Sequence, residues 1–126
     1  MAENSGHHKI LVIDDEVDIA NLIGTALGDE GFDTDIALSG AEGLRKLKSN
    51  GFDLVTLDIL MPNMDGWSFL EEMKSDGHLS GIKVVLFSVL ETKDAYDRAS
   101  DMGMDLVSKS SGHQGLIRAI RGTGYI

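Results

Sequence analysis

Apolar residues follow two alternating patterns along this chain. Ile10-Leu11-Val12-Ile13, Leu54-Val55-Thr56-Leu57 and Val84-Val85-Leu86-Phe87 are short continuous runs bounded by turn formers, as suits strands buried on both faces. Between and after them the apolar residues recur at helical spacing. From Glu16 to about Asp29, Val17, Ala20, Gly24 and Leu27 form a stripe that Ile19, Leu22, Ile23 and Ala26 broaden, and Gly31 closes the helix. Asp33-Thr34-Asp35-Ile36-Ala37 alternates weakly and is poor in apolar residues, which predicts an exposed edge strand. Ser39 and Glu42 stand at capping-box spacing before a helix carrying Leu44 and Leu47 that stops near Asn50-Gly51. Asp65 can cap a third helix with Trp67, Leu70 and Met73 facing inward, and Gly77 and Gly81 mark the turn into the next strand. A fourth helix spans about 92–102, a short strand runs from Met104 to Val107, and Leu116, Ile117 and Ile120 stripe a last helix.

Strand and helix therefore alternate five times, without repeat or linker. Each parallel crossover needs a covering helix and takes the right-handed course, so the pattern predicts a parallel sheet with helices on both faces. The polar second strand belongs at an edge, which favours the flavodoxin-like (βα)5 three-layer sandwich with strand order 2-1-3-4-5. Strands one and three then adjoin at the topological switch point, where the crevice beyond the carboxyl ends of the strands is the usual place of function.

The strand ends deliver chemistry to that crevice. Strand one runs into Asp14-Asp15, strand three into Asp58, strand four into Ser88, and the fifth leads past Ser108 to Lys109. Carboxylates about 4 Å apart repel by roughly 4 kcal/mol at an effective dielectric of 20, so a proton or a cation must relieve the crowding. Hard oxygen ligands suit Mg²⁺, which keeps part of its coordination open for phosphate oxygen. With Lys109 to pair developing charge and Ser88 to donate a hydrogen bond, the set reads as a phosphoryl-transfer site with a carboxylate acceptor.

Composition narrows the alternatives. A chain of 126 residues, 42% of them hydrophobic, fits one domain with a real core. The domain is expected over 9–122, with a flexible segment at 1–8 and a short tail at 123–126. No cysteine is present, which removes disulfides and thiolate chemistry. No apolar run approaches the roughly 20 residues that span a bilayer, and 1–8 lacks the apolar core of a signal peptide, so a soluble cytoplasmic protein without membrane contact is expected. The net charge of −10 argues against nucleic acid as a partner. His78, His113, Tyr96 and the methionines read as surface or packing residues.

The sequence resembles the response regulator receiver domain, the CheY-like module of two-component signalling. The resemblance rests on Asp14-Asp15, on Asp58 with Met61-Pro62 and Asp65-Gly66, on Ser88 and on Lys109, and covers essentially the whole chain. It implies that Asp58 accepts phosphate from the histidine of a sensor kinase or histidine phosphotransfer protein. Asp15 and Asp58 would supply side-chain ligands to Mg²⁺, Leu60 its backbone carbonyl, and Asp14 a mainly water-mediated contact. Ser88 and Lys109 would bind the phosphoryl group.

Five positions depart from the family pattern. Val89 stands where a small residue usually follows the hydroxyl and would narrow access to Asp58. Leu106 replaces an aromatic that commonly couples to the hydroxyl, which shifts any output to the loop before the fourth helix and to that helix. Ser110 follows the lysine in place of proline, so a trans peptide is expected. Leu60 and Leu90 are apolar where polar side chains can position attacking water, which implies a long-lived phosphoryl group. Three classes follow: a phosphorylation-controlled binding module, free-standing or part of a longer regulator; an interaction-only receiver rarely phosphorylated; and a small flavodoxin-like enzyme. The last is weakest, because strand one lacks a phosphate-cradling Gly/Ser/Thr-rich loop.

Overall fold

The computed structural model describes residues 8–62 and 64–124. The flexible segment expected at 1–8, apart from His8, lies outside the described residues, as do 125 and 126 of the expected tail. Five parallel strands, β1 (Lys9–Ile13), β2 (Asp33–Ala37), β3 (Leu54–Leu57), β4 (Lys83–Ser88) and β5 (Asp105–Ser108), form one sheet in the order β2-β1-β3-β4-β5. Helices α1 (Val17–Asp29), α2 (Gly40–Ser49), α3 (Gly66–Ser75), α4 (Lys93–Asp101) and α5 (Gly112–Gly122) alternate with them. This is the flavodoxin-like arrangement that the polar edge strand predicts.

The period of two in the central strands builds two cores. Ile10 and Val12 of β1 face one way, with Leu54, Val85 and Phe87, and are covered by Ala20, Ile23 and Leu27 of α1 and by Leu116 and Ile120 of α5. Leu11 and Ile13 face the other way, with Val55, Leu57 and Leu86, under Leu44 and Leu47 of α2, Phe69, Leu70 and Met73 of α3, and Ala99 of α4. α4 is the lightly anchored helix, since its buried residues are Ala95 and Ala99 alone. Val17 and Leu22 correct the sequence reading of α1: both are about half exposed, because the helix turns only Ala20, Ile23, Gly24 and Leu27 fully inward.

Local signals set the helix starts. The Ser39 hydroxyl accepts from the Glu42 N–H at 3.1 Å, and the Glu42 carboxylate accepts from the Leu38 N–H at 2.7 Å. Asp65 caps α3 by accepting from the Ser68 N–H at 2.8 Å, and Thr92 caps α4 by accepting from the Ala95 N–H at 3.2 Å. Gly66 is required for a different reason: a Cβ there would stand 2.6 Å from the Ile59 Cα and 3.0 Å from the Asp58 carbonyl oxygen. The first residue of α3 is thus seated directly on the backbone that carries Asp58.

Candidate functional site

Two backbone hydrogen bonds bring the central acids together. The Asp14 N–H extends the β1 ladder by donating to the Ala37 carbonyl at 3.1 Å, and the Asp58 N–H donates to the Ile13 carbonyl at 3.0 Å. Asp14 and Asp58 consequently sit side by side at the carboxyl ends of β1 and β3, and both are buried. Each uses one oxygen locally: Asp14 Oδ1 accepts from the Glu16 N–H at 3.0 Å and Asp58 Oδ1 from the Leu60 N–H at 3.2 Å. The other oxygen of each faces Lys109.

Lys109 leaves β5 at a 3-10 turn, Lys109–Ser111, in which the Ser108 hydroxyl accepts from the Ser110 N–H at 3.1 Å. No cis peptide occurs among the described residues, so Lys109 to Ser110 is trans, as expected where proline is absent. The turn aims the ammonium into the crevice, 2.8 Å from Asp14 Oδ2, 3.1 Å from Glu16 Oε1 and 3.2 Å from Asp58 Oδ2. Burial works against the Lys109 charge, but the hydrogen bond to Asp14 and the charges of Asp58 and Asp14 outweigh it and hold the ammonium above its ordinary range. Burial pushes Asp14 above the usual carboxylate range, and the hydrogen bonds from Lys109 and the Glu16 N–H recover only part of that shift.

The third acid brought to Lys109 is Glu16, which the sequence analysis does not single out. Carboxylate oxygens of Asp14, Glu16 and Asp58 lie within 4.8 Å of one another, and Asp15 is exposed outside that group. Asp14 Oδ1 accepts the Glu16 N–H, and this turn at the end of β1 brings the Glu16 carboxylate to Lys109. Ser88 is fully buried at the end of β4, the strand beside β3, and its hydroxyl accepts from the Leu90 N–H at 3.2 Å. Leu60 and Val89 stand exposed on the loops after β3 and β4.

Three carboxylates around one ammonium leave a formal excess of two negative charges. All the acidic donors are hard oxygens, and the described residues offer no thiolate or imidazole in the group. That donor set fits a divalent cation of the Mg²⁺ type better than a softer metal, so the site can bind a metal ion.

The fold and these strand-end residues define a signal receiver, and the family model for the response regulator receiver domain matches residues 10–121. The chain belongs to that family. Among curated relatives, the chemotaxis protein CheY of Treponema pallidum is 37% identical over 103 residues, covering 79% of this chain and 70% of that protein. The probable transcriptional regulator ycf27 of Cyanidium caldarium is 30% identical over 105 residues, and there the match spans 82% of this chain and 40% of the relative. The chain thus spans less than half of several transcriptional regulators that it matches. Among solved structures, the receiver protein N-terminal domain from Methanoculleus marisnigri is 34% identical with a TM-score of 0.76, covering 91% of this chain and 94% of that one. TrrA of Thermotoga maritima, solved in complex with Mg²⁺ and BeF, is 30% identical with a TM-score of 0.79, covering 91% and 97%. CheY4 of Vibrio cholerae, at 20% identity and a TM-score of 0.84 over 92% of this chain and 98% of that one, shares the fold.

Proposed function

We propose that this receiver is the phosphoacceptor of a two-component or phosphorelay system, phosphorylated on Asp58 from a phosphohistidine in a Mg²⁺-dependent reaction. The observation that carries it is the placement of Asp58 Oδ2, 3.2 Å from Lys109, in a pocket with excess negative charge. In the transfer, an Asp58 carboxylate oxygen forms a bond to phosphorus while the phosphorus–nitrogen bond breaks, and the electron pair leaves with the imidazole, which takes up a proton. Lys109 pairs with charge on the phosphoryl oxygens, and the Ser88 hydroxyl donates to one of them. Asp14, Asp15, Asp58 and the Leu60 carbonyl would hold Mg²⁺, with Glu16 close enough to join or replace Asp15. Bound there, the ion neutralises the crowded carboxylates and polarises the phosphoryl group. The partners are a sensor histidine kinase or histidine phosphotransfer protein and a downstream protein bound according to phosphorylation state, in the cytoplasm. No helix among the described residues is long and apolar enough to cross a membrane. Apart from its phosphorylation and dephosphorylation at Asp58, the domain acts by binding and is no enzyme.

The test is incubation with acetyl phosphate followed by intact mass. One phosphoryl group should be gained with Mg²⁺ and essentially none with excess chelator. Equal gain in both would remove the metal from the mechanism, and no gain in either would favour an interaction-only receiver.

Phosphoryl lifetime gives a second expected result. Leu60, 49% exposed, and the half-buried Leu90 offer an attacking water no hydrogen-bond partner from their side chains. Leu60→Asn and Leu90→Glu are each expected to speed loss of radiolabel roughly tenfold, a modest share of the 10²–10⁴ that positioned proton transfer supplies. Loss from the wild type at the variants' rate would show that these side chains do not set the lifetime.

A further inference from the structure

Helix α4 has an anchor outside the strand-end residues. The Arg98 guanidinium carbon lies 4.3 Å from the centre of the Trp67 ring, joining the exposed face of α4 to the first turn of α3. The rest of α4's inward face is small: Ala95 and Ala99 bury little apolar area, so a stack of this kind adds appreciably to its attachment. Trp67 itself is half buried on the core that holds α2, α3 and α4.

Both ends of this stack connect to Asp58. Trp67 follows Gly66, whose N–H donates to the Ile59 carbonyl at 2.7 Å and which packs on the Asp58–Ile59 backbone. Arg98 follows the loop in which the Ser88 hydroxyl holds the Leu90 N–H, two residues before the Thr92 cap of α4. A Ser88 hydroxyl that rotated away from Leu90 to meet a phosphoryl oxygen would give up this hydrogen bond and free the loop. Asp94 and Asp101, four residues before and three after Arg98, share its helix face and give a released guanidinium a second resting place. The guanidinium therefore has two alternative partners, an aromatic face and carboxylates on its own helix.

Resting on the receiver reading above, we propose that the Trp67–Arg98 stack is a latch that holds α4 against α3 in the unphosphorylated protein and opens when Asp58 is phosphorylated. Such a stack weakens beyond about 6 Å, so a shift of α4 by about 2 Å opens it. Arg98 is a positioning residue here: it touches none of the reacting atoms and acts through α4.

Trp67 is the single tryptophan of the chain, so its emission reads the latch directly. In the unphosphorylated protein, Arg98→Ala should shift Trp67 emission to the red and speed amide exchange in α4 about fivefold, while Arg98→Lys, which keeps a cation, should retain much of the wild-type behaviour. In the wild type, acetyl phosphate with Mg²⁺ should move the emission in the same direction, and Arg98→Ala should show little further shift. Intact mass on the same samples separates the two ideas. A wild type that gains phosphoryl mass with unchanged Trp67 emission overturns the latch and leaves the receiver reading standing. A wild type that gains no mass overturns the receiver reading and the opening step together. Unaltered emission and exchange in unphosphorylated Arg98→Ala show that no latch exists.

Discussion

Asp58→Asn is expected to fold as well as the wild type and to gain no phosphoryl mass from acetyl phosphate with Mg²⁺. The asparagine oxygen can still accept the Leu60 N–H that Asp58 Oδ1 accepts at 3.2 Å, so the turn after β3 keeps its hydrogen bond. Lys109 loses one partner but keeps Asp14 at 2.8 Å and Glu16 at 3.1 Å. Removing Asp58's charge also relieves its repulsion of Asp14, which contributes to the raised Asp14 pKa. The lost attraction and the relieved repulsion are each of the order of a few kcal/mol at these distances and oppose one another. A urea midpoint close to that of the wild type should result, whereas the amide nitrogen cannot replace the carboxylate oxygen as nucleophile, and mass gain should vanish. If the variant gains the same mass as the wild type, the phosphoryl group lands on another residue, and Asp58 loses its assigned role.

Much of the fold that positions this acid can be read from the sequence because its causes are local or periodic. Continuous apolar runs mark strands covered on both faces, and the polar run Asp33–Ala37 places β2 at the edge, which leads to the observed order β2-β1-β3-β4-β5. Asp14, Asp58, Ser88 and Lys109 follow from asking what stands at the carboxyl end of each strand. What stays hidden depends on side-chain direction beyond the strands. Glu16 is one acid among many as a letter, and only the turn in which Asp14 Oδ1 accepts its N–H brings its carboxylate to Lys109. Val17 and Leu22 fit an apolar stripe yet lie half exposed, since α1 meets the sheet along a face narrower than its apolar residues allow. The Trp67–Arg98 contact joins residues 31 positions apart on separate helices, and no periodicity within either helix announces it.

Lys109→Met should both weaken the fold and slow phosphorylation, and pH separates its two effects. The Lys109 side chain is 10% exposed, against 2% for Asp14 and 4% for Asp58, so the charges it balances lie away from solvent. Breaking such a buried arrangement costs about 3–5 kcal/mol, and methionine fills a similar volume, so the loss is electrostatic rather than a cavity. Asp14 already titrates above the usual carboxylate range because it is buried, and in the variant burial acts without the opposing hydrogen bond and charge of Lys109. The folded state then binds a proton at Asp14 more tightly than the unfolded chain does. By linkage, stability falls as pH rises from the ordinary carboxylate range through the raised folded value. The deficit measured by urea unfolding should therefore be greatest at neutral pH and shrink on acidification toward about pH 4, the ordinary carboxylate range. At neutral pH the rate of mass gain from acetyl phosphate should drop by about 10²-fold, the scale of losing one fixed charge that faces the developing phosphoryl charge. A deficit that stays constant with pH would mean that Lys109 does not oppose the upward push of burial on Asp14. An undiminished phosphorylation rate in folded Lys109→Met would remove the lysine from the transfer step.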